Sequence, residues 1–204
     1  MARFGIDTTN ALGVTVTELR KVARGLGRDH ALAAELWASG VHEARILASI
    51  VDDPDAVTER QMESWVRELG SWDLCDQVCM NLFDRTPFTF DKALEWSARE
   101  AEFEKRAGFA LMATAAVHRR DVPDRAFHSF LPRIRAEATD DRNYVKKSVS
   151  WALRQIGKRS ARLHARAVDT AHGIETIDSP SARWIARDVL RELESPPILE
   201  RLAR

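Results

Sequence analysis

Two stretches of the chain carry residues whose types and spacing suit chemistry on a charged partner. In Ser71-Trp72-Asp73-Leu74-Cys75-Asp76-Gln77-Val78, Trp72 and Asp76 are four apart and share one face of a helix. An indole face attracts a cation and a carboxylate neutralises it, so the pair could hold a positively charged group. The same residues also fit a core tryptophan with an acid that favours the helix dipole. Asp73 suits that dipole role well; Asp76, a turn deeper, suits it less. In the second stretch, Tyr144, Lys147, Trp151, Arg154 and Lys158 fall on one helical stripe. With their neighbours Lys146 and Arg159, these interleaved basic and aromatic residues suit a phosphate backbone and a stacked nucleotide. They equally fit a snorkelling basic face around one buried tryptophan. Arg106, in Phe103-Glu104-Lys105-Arg106, is a third candidate, although a single arginine on a mixed face is commonly a salt-bridge partner.

Other chemistries lack their signatures. There is no phosphate-binding glycine loop, nucleophile elbow or paired-histidine zinc motif. The histidines at 30, 42, 118, 128, 164 and 172 are scattered and suit surface or capping roles. Cys75 and Cys79 share a helical face but are spaced too far apart to bond easily. Two soft ligands alone do not make a zinc site, so they are expected to be buried thiols in a reducing compartment. Trp37, Trp65, Trp96 and Trp184 suit core or interface positions. No metal and no organic cofactor is expected.

The elements that must position these residues are helices. Helical signals cover 15–26, 30–38, 41–51, a segment opened by the capping-box pattern Thr58-Glu59-Arg60-Gln61 and ending at Gly70, and a segment from Ser71 or Trp72 to about Asp84. After Thr86, Pro87 is placed at the first turn of the next helix, which runs to about Arg99. Further helices are expected over 102–119, over 124–138 with an interruption at Pro132, and over 142–157, 159–170 and 183–193. Pro196-Pro197 is expected to end regular structure. No segment alternates with period two, so no strands are expected. Helices joined by short loops, several apolar on more than one side as in Phe109-Ala110-Leu111-Met112-Ala113, suit stacked antiparallel pairs. No strict sequence period appears, and a compact bundle fits the pattern as well.

The chain has 204 residues, 45% of them hydrophobic and 30% charged, enough for one domain over 1–204 with a sizeable core. Residues 1–10 lack the plan of a signal peptide, and no apolar run approaches the ~18 residues that span a bilayer. A cytoplasmic, monomeric protein without a membrane partner is the expectation. Lys plus Arg and Asp plus Glu number 31 each, so the net charge is zero, which by itself argues against nucleic-acid binding. The distribution differs from the sum: residues 41–104 are acid-rich, whereas residues 142–166 carry Arg142, Lys146, Lys147, Arg154, Lys158, Arg159, Arg162 and Arg166 with no Asp or Glu. A field follows where charges lie, so this block is either an anion-binding surface or a solvated helix face.

Four pieces in order carry a resemblance over most of the chain, from about Leu12 to Leu193: Gly13-Val14-Thr15-Val16-Thr17-Glu18-Leu19-Arg20, Val41-His42-Glu43-Ala44-Arg45, Ser71-Trp72-Asp73-Leu74-Cys75-Asp76, and Val145-Lys146-Lys147-Ser148-Val149-Ser150-Trp151-Ala152-Leu153-Arg154. Together they resemble the AlkD-like DNA alkylation-repair glycosylase family. The resemblance implies an all-α solenoid of HEAT-like, armadillo-type helix pairs holding duplex DNA in a concave face. It implies excision of positively charged N-alkylated purines, such as 3-methyladenine and 7-methylguanine, by a DNA N-glycosylase needing no metal or cofactor. Trp72 and Trp151 match the family's two site tryptophans, Asp76 its aspartate and Arg106 its supporting arginine. A cationic purine is a good leaving group, and a fixed carboxylate would stabilise the oxocarbenium-like sugar and orient water. The site is expected to be a shallow open groove. Two departures stand out: the N-terminus is short, so a leading helix of some members is expected to be missing or reduced, and the neutral charge predicts weak, salt-sensitive binding. The alternative is a non-catalytic HEAT-like module that binds DNA structure or a protein.

Overall fold

A computed structural model describes residues 9–203. The readings made on residues 1–10 and on the short N-terminus fall largely outside them. Among the described residues there are twelve α-helices and no strand. They are α1 (Val16–Leu26), α2 (His30–Ala38), α3 (His42–Val51), α4 (Glu59–Arg67), α5 (Trp72–Asn81), α6 (Thr89–Trp96), α7 (Glu102–His118), α8 (Phe130–Ala136), α9 (Asn143–Gly157), α10 (Ala161–Glu175), α11 (Pro180–Leu193) and α12 (Pro196–Leu202). Short 3-10 turns at Phe83–Arg85, Asp124–Ser129 and Glu137–Thr139 link some of them.

Side-chain caps set five of the starts. Thr15 and Glu18 close a reciprocal capping box on α1, and Asp29, Thr58, Ser160 and Ser179 each accept a backbone N–H three residues on. At Thr58 only half of the expected box forms, because the Gln61 amide instead donates to Asp52 at 2.6 Å. Ser160, not Arg159, opens α10. Pro132 lies in the first turn of α8, where its missing N–H has no helical partner to lose. Pro87 precedes α6 instead of sitting in its first turn. Pro196-Pro197 begins α12 where an end of structure was expected, since a proline in the first helical positions starts a helix as readily as it stops one.

The contacts gather into two compact units, Met1–Thr89 and Phe90–Arg204. In the first, α3 packs on α1, α2 and α5. His42 meets Asp73, 31 residues on, and Ser49 meets Asn81, 32 residues on, so α3 and α5 run parallel in register. Trp37 and Trp65 stack at 3.9 Å between centroids in the core beside Phe83.

In the second unit α7, α9 and α11 lie side by side. Arg106 bonds the Tyr144 carbonyl, Ser150 bonds Asp188 and Arg154 bonds Glu192, each 38 residues away, so these helices too run parallel in register. α7 is buried along nearly its whole length, from Lys105 to Ala116, as expected for a helix apolar on more than one side. Burying Phe109, Leu111 and Met112 stabilises the unit by about 1.5–3 kcal/mol each. At Gly108 a Cβ would stand 2.3 Å from the Ser97 backbone nitrogen, so only glycine lets α7 cross this close to the end of α6. The buried strip of α9 (Val145, Val149, Ala152 and Ile156) rests on α8 and α10.

Candidate functional site

On α5, Leu74, Cys75, Val78 and Cys79 form the buried strip. Trp72 and Asp76 lie off that strip, one turn apart on a common face, and both are half-buried. The other acid of the helix has a different task. The Asp73 carboxylate takes the Ser71 hydroxyl at 2.7 Å and lies 2.8 Å from His42 Nε2 on α3. Burial pushes the Asp73 pKa up, but the hydrogen bonds from His42 and Ser71 outweigh it and hold the group below the usual carboxylate range. This cluster locks the first turn of α5 to α3 and so fixes the direction in which Trp72 and Asp76 project. The thiols are buried and free of disulfide. Burial above all, then the neighbouring Cys75 and the nearby charges of Asp76 and Asp84, raise the Cys79 pKa well above its ordinary value, so it remains an unreactive thiol.

The remaining candidates belong to the second unit. Arg106 is 6% exposed, and its Nη1 donates to the Tyr144 carbonyl at 2.6 Å. Phe103, one turn earlier on α7, packs its ring 5.6 Å from that of Tyr144. Arg106 therefore positions the first turn of α9 and is largely turned away from solvent. Two turns along α9, Trp151 is half-buried and Lys147 exposed, on the side of the helix opposite its buried strip. With the Gln155 amide turned to accept, Trp151 Nε1 donates to it at 3.2 Å.

The flank of α9 meets α11 in a ladder with a four-residue rung. Lys146 lies 5.5 Å from the centre of the Trp184 ring, Ser150 donates to Asp188 at 2.7 Å, and Arg154 and Lys158 reach Glu192 at 2.5 and 2.6 Å. Burial raises the Glu192 pKa, but the bonds from Lys158 and Arg154 outweigh it and leave the group below the usual range. Arg159 is turned inward: 5% exposed, it donates to the carbonyls of Ala116, Arg119 and Val122, pairs with Asp124 at 3.1 Å and lies over Phe127. The expectation that Arg159 faces DNA meets this arrangement and gives way to a structural clamp. Arg142, likewise, pairs with Asp140. So the block that carries no acid along the chain meets Asp124, Asp140, Asp188 and Glu192 in space.

Residues missed in the sequence are the ladder's acceptors, Trp184, Asp188 and Glu192. Their own four-residue spacing was the signal that could have found them. Among the described residues, no three His, Cys, Asp or Glu side chains gather as a metal-ligand group, and no helix is long and apolar enough to cross a membrane.

The family model for DNA alkylation repair enzymes matches residues 1–202. The chain belongs to the DNA alkylation repair enzyme family. It is similar to an uncharacterized protein of Listeria innocua, 22% identical over 174 residues that cover 84% of this chain and 75% of that protein. A solved relative, one of a new family of proteins related to the HEAT-like repeat DNA glycosylases with affinity for branched DNA structures, superposes with a TM-score of 0.76 at 20% identity. The match covers 94% of this chain and 86% of that one. That likeness establishes the HEAT-like repeat fold.

Proposed function

We propose that the chain is a DNA N-glycosylase that releases positively charged N-alkylated purines, such as 3-methyladenine and 7-methylguanine, from duplex DNA. The observation that carries this reading is on α5: Asp76 shares a half-buried face with Trp72, one turn away. A lesion that already bears positive charge leaves readily once the glycosidic bond stretches. Charge then develops on the sugar, and a fixed carboxylate lowers the energy of that state more than it lowers that of the bound substrate. Asp76 supplies the carboxylate and orients the water that attacks the sugar. Trp72 holds the cationic nucleotide through its ring face, and Trp151 on α9 offers a ring face to DNA. Arg106 acts through α9 by fixing its first turn, and Tyr144, Lys146, Lys147, Arg154 and Lys158 lie along the helix that meets the phosphates.

A second reading is a module that binds DNA structure without cutting it. The pairing of Arg154 and Lys158 with Glu192 favours it, as does the affinity of the solved relative for branched DNA. Methylated duplex DNA separates the two. On the glycosylase reading the wild-type chain releases methylpurine, and Trp72→Ala slows release about tenfold. Tight binding with no release by the wild-type chain selects the second reading.

A further inference from the structure

The exposed faces of α8 and α10 point away from α9, because α9 packs on the buried ones. Between them lies an open groove of about 730 Å³. Leu131, Pro132 and Ile177 give it an apolar lining, Arg135 and Arg166 supply positive charge, and His128 also lines it. Arg135 reaches from α8 across to α10: its guanidinium carbon is 3.5 Å from where a Cβ on Gly173 would stand. Among the described residues, neither Arg135 nor Arg166 has an ion-pair or side-chain hydrogen-bond partner, and His128 Nε2 is buried with none. Among the described residues, Asp169 is the one acid in the lining and has no ion pair. These cations thus differ from Arg154, Lys158 and Arg159, which meet acids.

We infer that this groove binds the phosphodiester backbone of a second DNA arm, so that the chain engages branched DNA on two faces. The inference rests on the DNA-binding reading above. Two exposed guanidiniums match phosphate oxygens, which accept from arginine in forked pairs. The geometry selects a branch. The groove and Trp151 lie on opposite sides of two helix layers, about 20 Å apart at ordinary helix spacing. A straight duplex, stiff over about 150 base pairs, that lies against one side does not reach the other. A junction supplies a second arm that can.

The test is a fluorescence anisotropy titration of a labelled four-way junction and of a linear duplex with the same arm sequence, at several salt concentrations. The double variant Arg135→Ala, Arg166→Ala removes two exposed side chains, and its thermal melt should match the wild type. It should weaken junction binding about tenfold and flatten its salt slope by about 1 to 2, with linear duplex binding changed less than twofold. Equal weakening on both DNAs, or no change on either, overturns the inference. If poly-glutamate binds the wild type and not the variant while junction affinity is the same for both, the groove serves an acidic protein partner and the inference is wrong. Base release by the variant separates the failures. Normal release with unchanged junction affinity overturns this inference alone, whereas a wild type that binds neither DNA overturns it together with the reading beneath it.

Discussion

Along α9 and just beyond it, Arg154, Lys158 and Arg159 each meet an acid, whereas Arg135 and Arg166 across the unit meet none among the described residues. The first set holds the unit together; the second set stands at an open groove. Density of charge along a chain is therefore a poor guide to the charge a partner meets, because folding decides which cations are already engaged. In this molecule Arg142, Arg154, Lys158 and Arg159 of the basic segment meet acids, whereas Arg166 of the same segment stands at the groove with Arg135.

That contrast can be broken in order of effect. Arg159→Ala should have the largest. It leaves three carbonyls and Asp124 without their donor at a nearly closed site, and about 3 kcal/mol of stability should be lost, read as a fall in the urea midpoint. A variant as stable as wild type would remove Arg159 from the structural set. The paired loss at Arg135 and Arg166 should leave stability unchanged and cost about tenfold on junction DNA only. Glu192→Gln should work in the opposite direction. It releases Arg154 and Lys158, so duplex affinity should rise about threefold and its salt slope steepen, measured by anisotropy.

The smallest effect is on pH dependence. The folded pKa of Glu192 lies below its unfolded value, so its contribution is fully present above the usual carboxylate range and is lost as pH falls through the depressed folded value. Asp73 follows the same sign through His42 and Ser71. Melting temperature should therefore fall on acidification below the ordinary carboxylate range, and Glu192→Gln should fall less steeply than wild type.

What was legible in the sequence is what is local. The helix starts at Asp29 and Thr58, the helical character throughout and the Trp72–Asp76 spacing follow from residues within one or two turns. What was hidden depends on contacts one repeat away. Asp73 is claimed by His42, 31 residues earlier, and Arg154 by Glu192, 38 residues later. The repeat itself was hidden for a related reason: the register is 31 to 32 residues between α3 and α5 but 38 along α7, α9 and α11, so no single period runs through the chain. Pro196 was misjudged because a proline after a helix and a proline opening one leave the same local mark.

The most direct test of the central claim is release of methylpurine from methylated duplex DNA by the wild-type chain beside Asp76→Asn, which keeps the side chain's size and removes its charge. The account predicts release by the wild type and a loss of about a hundredfold or more in the variant, with DNA affinity unchanged. Equal rates in the two proteins would contradict the assignment of Asp76 as the group that stabilises the sugar cation.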